Sequence, residues 1–363
     1  MLYRLFFALI FPFMILHAQP PSEMRIKKEI AHMLIIGFDE KKLSSQSQFI
    51  QQIKQYELGG VILFDRFYDD ATRTKNIASF EQLKALTTQL KSANANILIS
   101  VDQEGGRVER LKVKQGFKHT PSAQTISSLP DSEAKKAYDT LALQLRESGV
   151  NTNFAPVLDL ALNLNNKVIY QLQRSYSKEP SQVVQYASVF MDALREQNII
   201  SVLKHFPGHG SSSEDSHKGF VDVSDTWSSK ELEPYRQLIK QKQVPMIMIA
   251  HVFNQKWDTH YPATLSYNVN TKLLREQLGF KGVIVSDDMQ MNAIRAHYSL
   301  EQSVVLAINS GVDILLFGNQ LAYDSLESII NTIYKAYEKG LITYERIHTA
   351  NQRIDLLKRR FLR

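Results

Sequence analysis

The 363 residues include no cysteine. Disulfides, thiolate zinc sites, cysteine nucleophiles and a lipid-modified cysteine anchor are therefore excluded. No linker rich in Pro, Gly or Ser divides the chain, so one main domain is expected. Past the N-terminus no apolar run approaches the roughly 20 residues that a membrane helix needs. Dense basic runs with interleaved aromatics are absent although the net charge is +6, which argues against nucleic acid as a partner. Neither an H-E-x-x-H metal helix nor a G-x-S-x-G serine elbow occurs. No repeat of fixed period stands out.

The N-terminus differs from the rest. Residues 1–4 carry one positive charge, on Arg4, and residues 5–16 are apolar apart from a break at Pro12. His17-Ala18 then precedes Gln19-Pro20-Pro21-Ser22. A charged start, an apolar run of about a dozen and a small residue before a polar stretch read as a secretory leader. Cleavage is expected after Ala18. Residues 19–363 would then form the catalytic domain, periplasmic or secreted, with no stable membrane insertion after cleavage. An uncleaved N-terminal anchor is the alternative.

Hydrophobic residues make up 44% of the chain, enough for a large core. Apolar, β-branched runs recur at 33–38, 60–64, 97–101, 152–158, 200–205, 246–251, 282–286 and 314–318. Their continuous apolar character is that of parallel strands buried on both faces. Amphipathic stretches separate them, including 133–148, with Ala137, Leu141, Leu145 and Ser148 on one face, then 182–197 and 299–310. A closing helix is expected over 341–363. Eight strands alternating with helices predict an α/β fold, a single-domain (β/α)₈ TIM barrel. A doubly wound open sheet is the structural alternative.

Catalytic groups of such a barrel lie where strands end, and the residues able to do chemistry cluster there. Asp102 and Glu104 follow the third run, Asp159 the fourth, Lys204 and His205 end the fifth, His251 the sixth, and Asp287 and Asp288 the seventh. Asp287 after a buried strand suits a nucleophile or a metal ligand, whereas Asp at a strand-to-helix junction also suits a helix cap. Two adjacent Asp suggest one of each kind. Lys204-His205-Phe206-Pro207-Gly208-His209-Gly210 pairs a cation and an imidazole before a turn, a good arrangement for gripping hydroxyls. The polar run 211–216 predicts a loop, within which Asp215 and His217 stand two residues apart. An Asp partner fixes the imidazole tautomer and favours its protonated form; a polar surface loop with incidental charges is the plainer reading. Asp102-Gln103-Glu104-Gly105-Gly106-Arg107-Val108-Glu109-Arg110 reads either as a sugar-hydroxyl clamp or as a salt-bridged rim loop. The spacing of His205, His209, Asp215 and His217 fits no compact zinc signature, so no metal and no cofactor is expected.

Together and in this order, these motifs, with Asn153-Phe154-Ala155-Pro156-Val157-Leu158-Asp159 between them, resemble glycoside hydrolase family 3, in its NagZ-type β-N-acetylglucosaminidase branch. The resemblance runs from about residue 30 to 319. It implies a retaining mechanism in which Asp287 is the nucleophile, His217 the general acid/base and Asp215 its orienting partner. It also implies that Asp102, Arg110, Arg174, Lys204 and His205 hold the terminal N-acetylglucosamine. His209 and Asp288 match the motifs too and take supporting roles. The family usually shows a Gly-Asp-Arg-Ser-Phe-like run near Arg174; this chain reads Gln171-Leu172-Gln173-Arg174-Ser175-Tyr176 and keeps only the Arg-Ser-aromatic core. A histidine acid/base departs from the two-carboxylate pattern of retaining glycosidases, but its ordinary pKa suits proton transfer near neutrality. The implied substrates are peptidoglycan-derived GlcNAc–MurNAc fragments of cell-wall turnover, handled by a monomer. A family 3 β-glucosidase or β-xylosidase, transfer to phosphate, a metal hydrolase and a non-catalytic wall-binding barrel are the rival readings.

Overall fold

A computed structural model describes residues 21–213, 219 and 221–362. The leader and the Asp215/His217 pair lie outside the described residues.

Ten strands are present among the described residues: β1 (Leu34–Gly37), β2 (Gly60–Ile62), β3 (Leu98–Val101), β4 (Thr152–Asn153), β5 (Ile200–Phe206), β6 (Val221–Asp222), β7 (Met246–Ile249), β8 (Val252–Phe253), β9 (Val283–Asp288) and β10 (Ile314–Phe317). Eight of them close into a barrel in the order β1-β10-β9-β7-β5-β4-β3-β2, with every neighbouring pair parallel. This is the (β/α)₈ barrel expected from the eight apolar runs. Each run seeds one strand, because a strand covered by helices outside and packed side chains inside sees no water on either face. Every residue of β1, β2, β3, β7 and β10 is buried.

Strand β4 is shorter than its apolar run. Pro156 has no N–H to give the ladder, and past it only an isolated bridge joins Val157 to Lys204. The pair β6–β8 forms a separate two-stranded sheet that the sequence pattern did not indicate, since two-residue strands show no period. The helices Asp131–Glu147, Pro180–Glu196, Leu300–Ser310 and Tyr344–Phe361 match the amphipathic stretches to within a few residues. In the first of these Ala134 and Tyr138 join Leu141 and Leu145 in the core, while Ala137 is half-buried. Ser299 caps its helix in a reciprocal box with Gln302, satisfying end N–H groups. Among the described residues no helix is long and apolar enough to cross a membrane.

Two glycines bring strand ends together at the barrel mouth. A Cβ on Gly37 would lie 1.9 Å from the Gly318 carbonyl oxygen, and one on Gly318 would lie 2.5 Å from Asp288 Oδ2. Only hydrogen fits between β1, β9 and β10 there.

Candidate active site

All seven residues of β5 are buried, Lys204 and His205 among them. A charged group in such a place needs partners. Lys204 Nζ finds two, Asp102 Oδ1 at 2.8 Å and Glu104 Oε1 at 2.7 Å, both just past the end of β3. Asp102 Oδ2 also accepts from Arg110 at 3.2 Å. Arg174 closes the cluster with a two-pronged grip on Glu104, Nε to Oε2 and Nη2 to Oε1, each 2.8 Å. Its third nitrogen donates to the Val168 carbonyl at 2.8 Å.

Three cations thus surround two carboxylates. Burial pushes both carboxyls up, but the cations prevail: Lys204 and Arg110 hold Asp102 well below the usual carboxylate range, and Arg174 and Lys204 hold Glu104 down to about 2. The reverse applies to Lys204, whose burial favours the neutral amine while Asp102 and Glu104 raise its pKa overall. Asp102, Glu104 and Lys204 are thereby kept in their ionised forms at neutral pH.

A second network orients the imidazoles. His205 Nδ1 lies 2.6 Å from Asp159 Oδ2, and Asp159 Oδ1 accepts the backbone N–H of His209 at 2.7 Å. Asp159 is fully enclosed; burial raises its pKa, and His205 more than reverses the effect. With its Nδ1 side turned to Asp159, His205 presents Nε2 toward Arg174, 3.5 Å from Nη2. Burial pushes His209 down to about 4, leaving it neutral. Below this turn, the buried Glu231 accepts from Gly210 N at 2.8 Å and Ser211 N at 3.1 Å. Burial and the nearby Asp159 charge push Glu231 up to about 8.

At the end of β9 the two adjacent carboxylates divide. Asp288 Oδ1 accepts from Gln290 N at 3.0 Å and Gly318 N at 3.1 Å, and its carbonyl lies 2.9 Å from His251 Nε2. Asp288 therefore ties β9 to β10 and to the end of β7. Asp287 is half-buried, with Oδ1 accepting the Asp288 N–H at 2.8 Å. It lines a cavity of about 480 Å³.

Asp102, Arg110, Arg174, Lys204, His205 and Asp287 all line this cavity. Six of the eight residues singled out from sequence are thus brought together from β3, β5, β9 and two loops; Asp215 and His217 fall outside the described residues. Glu104 and Asp159 were visible as strand-end acids but had no assigned role. Their partners lie 70 and 46 residues away, and no local pattern reveals such pairing. Nothing local in the sequence marks Glu231, because one acid near a helix start is common. Apolar walls come from Phe64, Phe154, Met248 and Met291. The arrangement is a pocket that combines a largely buried cluster of paired charges with the half-buried Asp287 and apolar walls, of a size and polarity suited to a small polyhydroxylated ring. Among the described residues no group of three His, Asp or Glu side chains is arranged to hold a metal ion.

Residues 25–357 match the model of the glycosyl hydrolase family 3 N-terminal domain. A relative named β-hexosaminidase A, from Pseudoalteromonas piscicida, is 32% identical over 84% of this chain and 54% of its own length. A β-hexosaminidase of Tolumonas auensis is 36% identical over 73% of this chain and 77% of its own. Among solved structures, a family 3 β-N-acetylglucosaminidase from Paenibacillus sp. superposes with a TM-score of 0.82 at 31% identity, covering 92% of this chain and 62% of the other. The β-N-acetylglucosaminidase of Thermotoga maritima gives 0.75 at 25%, covering 91% and 67%. The chain thus spans a little over half the length of the first of these relatives.

Proposed function

This chain belongs to glycosyl hydrolase family 3, and from that premise we propose that it is a retaining exo-β-N-acetylglucosaminidase acting through a covalent glycosyl–Asp287 intermediate. The observation that carries the reading is the position of Asp287 on the wall of a cavity floored by the Asp102–Lys204–Glu104–Arg174 cluster. Fixed, largely buried charges at one end of the cavity suit the hydroxyls of a terminal sugar. The names borne by the relatives, β-hexosaminidase and β-N-acetylglucosaminidase, support the acetamido sugar.

In this mechanism an Asp287 carboxylate oxygen attacks the anomeric carbon as the bond to the leaving oxygen breaks. The proton for that oxygen comes from the His217 imidazolium, which Asp215 stabilises. Neutral His217 then takes a proton from water, whose oxygen attacks the same carbon and frees Asp287. Two inversions give net retention. The roles of His217 and Asp215 rest on the motif alone. Glu104 keeps Arg174 and Lys204 in place, and Asp159 fixes the His205 ring at the cavity wall with Nε2 toward Arg174.

The substrates we propose are GlcNAc–MurNAc fragments of peptidoglycan, met in the periplasm or outside the cell if residues 1–18 direct export. The test is hydrolysis of 4-nitrophenyl β-N-acetylglucosaminide against the matching β-glucoside, with and without phosphate, with the product anomer followed by NMR. The reading expects acetamido selectivity, no need for phosphate and a β product first. Preference for the glucoside, or an α product, would refute it.

A further inference from the structure

Residues 65–75 fold back on themselves at the cavity mouth. Arg66 and Thr74 form an antiparallel bridge, and Phe67 N donates to Arg73 O at 3.1 Å. Gln320, from the loop after β10, braces this turn: its Nε2 donates to Arg66 O at 3.0 Å and its Oε1 accepts from Tyr68 N at 3.1 Å. The brace holds the backbone that carries two exposed side chains. Tyr68 is 64% exposed and Arg66 is exposed, yet both line the cavity. An exposed aromatic ring at the rim of a sugar-sized pocket offers an apolar face against which a sugar ring can lie.

The charges of the segment are otherwise settled. Arg73 pairs with Asp69 at 4.0 Å and Lys75 with Asp39 at 3.1 Å. Asp65 is held by Lys112, and Asp70 accepts from Thr72. Arg66 alone of the three basic residues has no acid partner among the described residues. The Lys204–Glu104–Arg174 cluster of the cavity is largely buried whereas Arg66 and Tyr68 are exposed, so a group attached to a sugar seated on the cluster would extend past this rim.

We propose that Arg66 and Tyr68 form the leaving-group subsite and that it selects a sugar bearing a carboxylate, the guanidinium pairing with the carboxylate and the phenol ring covering the sugar face. The inference rests on the glycosidase reading of the same cavity and goes beyond it by naming what reads the far side of the scissile bond. A guanidinium fork matches a carboxylate better than an ammonium does.

The test compares kcat/KM of wild type, Arg66→Ala, Arg66→Lys and Tyr68→Ala on four substrates: 4-nitrophenyl β-N-acetylglucosaminide, GlcNAc-β1,4-GlcNAc, GlcNAc-β1,4-MurNAc and a GlcNAc-uronate disaccharide. Arg66→Ala should lower kcat/KM about three- to tenfold on the carboxylated disaccharides, as loss of one partly exposed ion pair does, and leave the neutral substrates unchanged. Arg66→Lys should recover part of the loss, and added salt should narrow the gap. Tyr68→Ala should weaken all three disaccharides and spare only the nitrophenyl glycoside. Loss confined to the MurNAc substrate would assign the lactyl carboxylate; loss on both would assign carboxylates generally. Equal Arg66→Ala losses on neutral and acidic disaccharides, or none, would overturn the proposal while a wild type active on the nitrophenyl glycoside left the glycosidase reading intact. A wild type inactive on all four would overturn both.

Discussion

Arg174 clasps Glu104 through two hydrogen bonds of 2.8 Å across 70 residues of chain. Both side chains are nearly buried, and Lys204 shares the same carboxylate at 2.7 Å. Removing one partner leaves a buried charge poorly compensated, which costs about 3–5 kcal/mol in such settings. Arg174→Ala is expected to lose stability of that order in urea unfolding. Glu104→Gln should also destabilise, because the amide keeps one accepting oxygen but turns its NH2 toward a cationic donor and removes the anion between Arg174 and Lys204. The double variant should fall well short of the sum of the singles, as residues of one network do.

The same cluster gives a pH dependence with a definite sign. Glu104 is held at about 2, below its ordinary 4.5, by Arg174 and Lys204 against the opposing effect of burial. Its folded-state pKa is depressed, so the stabilisation is complete above about 4.5 and is lost as pH falls toward 2. The melting temperature should drop across that window, and Glu104→Gln should flatten the drop. An unchanged slope in the variant would mean that another carboxylate governs acid unfolding.

Gly318 packs against Asp288, whose backbone N–H is bonded to Asp287. Gly318→Ala would place a methyl 2.5 Å from Asp288 Oδ2, forcing β9 and β10 apart beside Asp287. Overpacking of this kind costs about 1–3 kcal/mol. The account expects a lower melting temperature and a fall in kcat larger than the rise in KM. Gly116→Ala, with nothing within 4 Å of its Cβ, is the control: its backbone φ of 90° strains alanine, so stability should fall while kcat stays.

His217→Ala should discriminate by leaving group. 4-Nitrophenolate departs without a proton, whereas a sugar hydroxyl needs one. General acid catalysis is worth roughly 10²–10⁴-fold, so hydrolysis of GlcNAc-β1,4-MurNAc should suffer far more in its first step than cleavage of the nitrophenyl glycoside. Steady-state rates on the two substrates, with a burst measured on the second, separate the steps. Equal losses would remove His217 from the acid role.

The barrel was legible because burial on both faces forces continuous apolar runs, and Met246-Ile247-Met248-Ile249 is such a run from end to end. The limits of β4 were not, since Pro156 interrupts the ladder without changing the apolar pattern. Strand-end placement made Asp102, Lys204, His205 and Asp287 conspicuous. What stayed hidden is tertiary: Glu104 has meaning only through Arg174 and Lys204, and Asp159 only through His205. Gln173 shows the same limit, taking a left-handed backbone at φ 59° where its residue type gives no hint of one.

The central claim is that Asp287 carries the sugar between the two steps. A 5-fluoro-N-acetylglucosaminyl fluoride slows release of the glycosyl enzyme and allows it to be trapped. Intact-mass analysis of the treated protein, followed by peptide mapping, should find one added fluorosugar on the peptide containing Val283–Asp288, attached at Asp287, and none in Asp287→Ala. A label on another residue, or turnover of the nitrophenyl substrate by Asp287→Ala at the wild-type rate, would contradict the account.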